Sequence, residues 1–144
     1  MEKIATLLRF MQLYSHAAHN LIGGETFFQD HEFFGELYPA YEADYDSVVE
    51  RMIGLDMKPD VTKINSQAVG LLDKNGITNT KAVIEILMKA EKMLCMAVEK
   101  EITPNPMSHP HGGKDLLSQG TVQLIGEICN KSEMRQYKMK QRSK

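Results

Sequence analysis

The chain of 144 residues has no tryptophan, only two cysteines and only five prolines. Cys95 and Cys129 are far apart in sequence, which excludes a small disulfide scaffold and a CxxC metal motif. Their apolar, helix-periodic surroundings predict buried thiols in a reducing compartment. A bridge between neighbouring helices is the alternative.

Strong net charge and long hydrophobic runs are missing as well. The formal charge is -2, so the chain has no global basic field of the kind common in nucleic-acid binders. No stretch approaches the roughly 18 apolar residues of a membrane span. Arg9 interrupts the first apolar run, and no signal-peptide cleavage pattern follows. We therefore expect a cytoplasmic protein without a membrane segment.

Helical periodicity fills most of the chain, and no segment predicts a convincing strand. Pro39 lies inside the second long helix, where its ring crowds the carbonyl of Gly35 and predicts a kink rather than a break. Pro59 marks a connector over 56–66. The apolar pattern predicts long helices over about 2–22, 26–55, 79–101 and 115–139, and a short helix over about 66–74.

Four long helices with a short one in the crossover between the second and third predict an all-α bundle. The long crossover favours ferritin-like connectivity over a simple up-and-down bundle. We expect one domain over 1–139 and a basic C-terminal tail over 140–144.

One set of side chains suggests a metal site. Asp46 and Glu50 are four residues apart on one helix face, about 6 Å along the axis. His31 lies on the same helix, and His19 lies near the end of the preceding one. Imidazole with carboxylate suits iron, and also zinc or manganese. Alternatively, the carboxylates form a solvated face beside Arg51, and His31 only makes a hydrogen bond at an interface.

Helix geometry decides whether these residues can share an ion within one chain. His31 precedes Asp46 by 15 residues and Glu50 by 19, which corresponds to roughly 22 and 28 Å of helix rise. A shared site therefore needs carboxylates from another subunit. A two-fold axis with antiparallel helices would supply them and would create two sites per dimer.

The same region resembles the ferroxidase signature of the Dps proteins, the mini-ferritins of starved cells. The match runs without a gap from His19 to Arg51, and a weaker match follows in 120–124 and 132–133. The matching residues are His19, Gly24, Phe27, Phe28, His31, Glu32, Glu36, Leu37, Tyr38, Asp46, Glu50 and Arg51.

The resemblance implies a dodecameric shell that binds Fe(II) between two-fold-related subunits, oxidises it with peroxide or oxygen, and stores ferric mineral. In this reading His19 and His31 are ligands from one chain. Asp46 and Glu50 come from its mate.

The sequence departs from the family near the second histidine. Gly35 stands where the family usually has an aspartate, and Asn20 stands where it has a tryptophan. Glu36 points about 100° away from Gly35 on the helix, although rewinding at Pro39 could swing it inward. Loss of one carboxylate should weaken metal binding and slow oxidation. The alternative function is therefore a Dps-like shell with impaired or lost ferroxidase activity.

Three further features are candidates for binding. His16 lies three residues before His19 and is either an extra ligand or a polar interface residue. His109 and His111 form a weak HxH motif in a loop. The basic segment from Lys131 to Lys144 could contact DNA phosphates with avidity in a shell, or it could be a solvated, frayed helix end.

Overall fold

The structure is a computed structural model that describes residues 1–103 and 117–144. Within these ranges it contains helices and no strand, which confirms the predicted all-α class. The helices are α1 (Glu2–Leu21), α2 (Phe27–Gly54), α3 (Val61–Lys74), α4 (Thr80–Ile102) and α5 (Gln119–Arg142).

Polar side chains begin three of the helices. The side-chain oxygens of Asp60, Asn79 and Ser118 accept the backbone N–H three residues on, at the starts of α3, α4 and α5. Each such cap satisfies one of the amides that a helix start leaves without a partner. In the turn after the C-terminal end of α1, Gly24 has φ of 111°, a conformation that favours glycine.

The predicted boundaries of two helices were wrong. The Asp60 cap starts α3 at Val61, so half of the predicted connector is helical. Similarly, α5 continues past Met139 to Arg142. The same helix begins at Gln119, later than the predicted start near residue 115, and residue 115 itself lies outside the described residues.

The core lies where α1 packs against α2, α3 and α4, with α5 closing the bundle against α4. One stripe of α1 is completely buried and supplies much of this core, as the 3.6-residue period predicts. Helix α2 continues through Pro39, so the predicted absence of a break is confirmed. The fully buried large side chains of α1 are Ile4, Leu8, Met11 and Tyr14.

No helix in the described ranges combines the length and the apolar character that crossing a membrane requires.

Candidate metal centre

His19 and His31 lie together at the junction of α1 and α2. Their rings stack with centroids 3.7 Å apart and planes inclined by 26°. The Nδ1 atom of His19 lies 2.8 Å from the carbonyl oxygen of His31, and the Nδ1 atom of His31 lies 3.0 Å from the carbonyl oxygen of His19. Two reciprocal hydrogen bonds therefore hold the pair.

These hydrogen bonds decide which nitrogen of each ring is free. A carbonyl oxygen only accepts, so each Nδ1 must carry the hydrogen and donate it. In the neutral imidazole, the lone pair is then on Nε2. Metal-binding histidines are commonly oriented in this way, by an N–H to a backbone carbonyl on the far side of the ring. His31 is exposed and His19 half-buried, so ions from solvent can reach the pair.

Gly35 leaves the space that His19 fills. A Cβ at Gly35 would lie 3.2 Å from both Cε1 and Nδ1 of the His19 ring, which is closer than ordinary van der Waals contact. A larger side chain at this position therefore requires the ring to move. In this chain the imidazole of His19 therefore fills the space beside Gly35.

Tyr38 extends the aromatic group around His19. His16 stacks on Tyr38 with ring centroids 4.3 Å apart, and Tyr38 meets the edge of His19 at 5.5 Å. The rings of His16 and His19 are 6.4 Å apart. His16 thus contacts Tyr38, which in turn contacts His19 of the stacked histidine pair.

Asp46 and Glu50 lie farther along α2 and are exposed. Glu50 lines an open surface groove together with Arg51, Gly54 and Leu124. Arg51 reaches over the start of α5, where its Nη1 lies 3.5 Å from the hydroxyl of Thr121. Neither carboxylate forms an ion pair with another residue of the described ranges.

The chain brings the two histidines together but keeps the carboxylates away from them. Within residues 1–103 and 117–144, no three His, Cys, Asp or Glu side chains are grouped closely enough to hold a metal ion. Because α2 is one continuous helix, the rise between His31 and Asp46 stays at roughly 22 Å. Exposed Glu36 does not complete a group with the histidines either.

A buried ion network in the bundle interior was missing from the predictions. Arg135 of α5 donates from Nε to Glu91 of α4 (2.5 Å) and from Nη1 to Asp44 of α2 (3.1 Å). Tyr41 donates its hydroxyl to Glu91 at 2.6 Å, and exposed Lys131 pairs with Asp44 at 2.7 Å. Two buried carboxylates thus share two cations and a phenol.

Electrostatics in this network follow from burial and charge. Burial, and then the negative charge of Glu91, raise the pKa of Tyr41 well above its usual value. Burial would lower the pKa of Arg135, but the charges of Glu91 and the other acids raise it instead. Arg135 therefore stays charged and neutralises the carboxylates. The sequence signal was a charged residue on each of three apolar helix stripes: Asp44, Glu91 and Arg135.

A third buried carboxylate, Asp30, anchors the end of α5. Asp30 accepts hydrogen bonds from the hydroxyls of Thr26 (2.6 Å) and Thr80 (2.7 Å), and from Nε of Arg142 (3.0 Å). Burial would raise the pKa of Asp30, but these hydrogen bonds and the Arg142 charge hold it below its usual value. Thr26 directly precedes α2, and its hydroxyl bonds Asp30 instead of capping the helix.

Part of the basic segment from Lys131 to Lys144 is therefore paired with acids inside the chain. Lys131, Arg135 and Arg142 pair with acids of α2 and α4. The segment is helical through Arg142, beyond the predicted end at Met139. Division of the chain into a domain and a tail at residue 140 stays a prediction. His109 and His111 lie outside the described residues.

Comparison with known proteins agrees with the fold. No protein-family model matches the sequence, and no curated protein matches it. Among solved structures, the Dps92 protein of Deinococcus radiodurans superposes with a TM-score of 0.72. The match covers 96% of this chain and 80% of that chain at 18% sequence identity. The chain therefore has a Dps-like ferritin fold, as the sequence predicted.

Proposed function

We propose that this protein is a Dps-like mini-ferritin that binds Fe(II) between two-fold-related subunits, oxidises it and stores the product. The observation that carries the proposal is the reciprocal hydrogen bonding of His19 and His31. It leaves both Nε2 lone pairs without a partner in the described chain, on a surface that solvent reaches. Imidazole nitrogens so oriented are ligands for divalent iron, and equally for zinc or manganese.

A second subunit supplies the rest of the proposed site. Asp46 and Glu50 share one exposed face of α2, and two-fold packing of antiparallel helices brings them to the histidines of the mate. Two carboxylates and two imidazoles neutralise the charge of Fe(II) and stabilise Fe(III) even better, because a trivalent ion gains more from anionic ligands. The proposed assembly is a homo-oligomer, with twelve subunits taken from the family resemblance.

The proposed reaction is the removal of one electron from each Fe(II), with peroxide or oxygen as the acceptor. One hydrogen peroxide takes two electrons, so two Fe(II) are oxidised for each peroxide consumed. Consumption of both reagents limits oxidative damage. The two cysteines are free thiols, which fits a reducing cytoplasm as the proposed compartment.

Gly35 favours a second candidate function, in which the shell has impaired or lost ferroxidase activity. The family's extra carboxylate is missing, and the His19 ring occupies the adjacent space. Such a protein would serve as a structural or DNA-associated assembly. Fewer basic side chains remain for phosphate contact than the sequence suggested, because three are paired internally. Lys138, Lys140 and Lys144 are exposed and have no ion-pair partner among the described residues.

Anaerobic addition of Fe(II), followed by oxygen or peroxide, separates the two functions. Ferric absorbance should develop with the wild-type protein and should be lost in the matched variant H19A/H31A. A cage that binds Fe(II) but stays colourless with either oxidant would favour the second function. Sedimentation with metal analysis on the same sample gives the subunit number, and a monomer would contradict both functions.

A further inference from the structure

Cys95 of α4 and Cys129 of α5 lie side by side across the contact between these helices. The Sγ atom of Cys95 is 3.8 Å from the carbonyl oxygen of Cys129. Both side chains are half-buried and neither is in a disulfide. The two residues are 34 positions apart in sequence, so only the fold brings these thiols together.

Two polar neighbours keep the Cys95 sulfur turned towards α5. Its Sγ lies 3.4 Å from the hydroxyl oxygen of Ser132 and 3.9 Å from Nε2 of Gln136. The Ser132 hydroxyl in turn donates to the backbone carbonyl of Glu91 at 3.2 Å and accepts from Gln136 at 3.3 Å. The sulfur is therefore held at this contact by residues of α5.

The surroundings of Cys129 favour its protonated thiol form. Burial raises the pKa of Cys129 to about 12, helped by the adjoining Cys95 thiol and by the charges of Glu133 and Glu99. A thiolate is the nucleophile towards peroxide. Direct reaction of Cys129 with peroxide is therefore slow.

We propose that Cys95 and Cys129 form a dithiol site at which hydrogen peroxide is reduced and a disulfide between α4 and α5 is formed. The Cys95 thiolate attacks one peroxide oxygen, and the O–O bond breaks to give a sulfenic acid and hydroxide. The Cys129 sulfur then displaces water from that sulfenic acid. Overall, two thiols and one peroxide become one disulfide and two waters.

This chemistry needs neither iron nor a second subunit. It therefore goes beyond the proposed function and can be tested separately from it. The disulfide would join α4 to α5 on either side of the segment 103–118 that connects them. Reduction by a dithiol reagent would restore both cysteines.

The test uses the full-length protein, freed of metal with a chelator, with the reductant removed, and then treated with hydrogen peroxide. Free thiols counted after denaturation should fall from two to none per chain, and the intact mass should fall by about 2 Da for the two lost hydrogens. Trypsin should release the peptides 93–100 and 115–131 as one cross-linked species. Dithiothreitol should reverse all three changes.

The matched variants C95S and C129S keep the side-chain size and remove one sulfur each. Neither should give the cross-linked peptide or lose mass. In C95S the remaining thiol should be consumed only slowly, because burial raises the pKa of Cys129.

Retention of both thiols in the wild-type protein would overturn the proposal. So would independent oxygen adducts on each cysteine, or disulfides between chains in place of the linked 93–100 and 115–131 peptides. These measurements on the wild-type chain stand even if a variant folds poorly.

Discussion

Asp44 and Asp46 are two residues apart on α2, yet their surroundings are opposite. The carboxylate of Asp44 is buried and is matched by Arg135 and Lys131. Asp46 is exposed and has no ion-pair partner in the described ranges. The buried network of Asp44, Glu91 and Arg135 is complete within one chain. The surface set is divided: His19 and His31 lie at the junction of α1 and α2, and Asp46 and Glu50 lie towards the other end of α2.

The difference separates a structural role from a binding role. A buried carboxylate without a cation is costly, so the chain itself must supply the partner. An exposed carboxylate is stabilised by water, so it needs no cation from its own chain. It remains available to bind an ion or another subunit. The completed network should therefore control stability, and the divided set should control metal affinity.

Replacement of Arg135 should have the largest effect. R135M leaves Asp44 and Glu91 buried without their shared cation, which should lower the free energy of unfolding by about 3–5 kcal/mol. Urea denaturation measures the loss. R135K keeps the charge but not the planar fork, and should recover part of that stability. A loss below 1 kcal/mol in R135M would mean that Lys131 alone can neutralise the network.

Neutralising the surface carboxylates should lower metal affinity and leave the stability of the fold almost unchanged. D46N/E50Q removes two proposed anionic ligands, so the affinity for Fe(II) or Co(II) should fall about 100-fold. Stability of the subunit fold should change by less than about 0.5 kcal/mol, as for other surface substitutions. Anaerobic titration calorimetry and denaturation measure the two quantities.

D44N is the matched control for this experiment, two residues away on the same helix. It should destabilise the fold and leave the metal affinity of the folded protein unchanged. If D44N and D46N/E50Q had the same effects, the distinction between the two regions would be wrong.

Gly35 tests how closely the histidine pair is fitted. G35A places a methyl group 3.2 Å from the His19 ring, so the ring must shift by a few tenths of an ångström. Metal affinity should fall about 3–10-fold, equivalent to about 0.7–1.4 kcal/mol. Unfolding free energy should change by no more than about 1 kcal/mol, since alanine is also the better helix former. Unchanged metal affinity would show that the His19 ring can move away from the added methyl group without loss of metal binding.

A local effect is expected at Asp30, in acid. Because its pKa is lowered in the folded state, its contribution is present above the unfolded pKa of about 3.9 and is lost as pH falls through the folded value. Below about pH 4 the last turn of α5 should lose hydrogen-exchange protection first.

At neutral pH, D30N should lower the free energy of unfolding by about 1–2 kcal/mol, because Arg142 is partly exposed. Equal acid sensitivity of D30N and the wild type would contradict this anchor.

Much of the fold could be read from the sequence because it depends on local patterns. Apolar periodicity located the five helices of the described ranges, and α1 ends within one residue of its predicted bound. The start of α3 was missed because Asp60 and the residues after it carry little apolar signal, although an aspartate cap was there to be recognised. Persistence of α5 to Arg142 depends on a contact with Asp30, 112 residues away in sequence.

For the candidate site, the sequence predicted only what the spacing of residues along a helix determines. Positions 19 and 31 indicated two histidines near a helix junction, but not that each bonds the other's carbonyl. The rise of α2 correctly predicted that Asp46 and Glu50 lie too far away within one chain. Arg135 was interpreted as part of the basic segment from Lys131 to Lys144, because sequence alone does not show which face of α5 meets two buried carboxylates.

Mixing two complementary variants tests the central claim of a site shared between subunits. One chain carries H19A/H31A and the other D46A/E50A, so neither can form a site with its own kind. Unfolded together in equal amounts and refolded, half of the two-fold pairs should be mixed, and each mixed pair should regain one of its two sites. Anaerobic titration should then find about a quarter of the wild-type high-affinity Fe(II) sites. Recovery of none in a correctly assembled mixture, or full binding by either variant alone, would contradict the shared site.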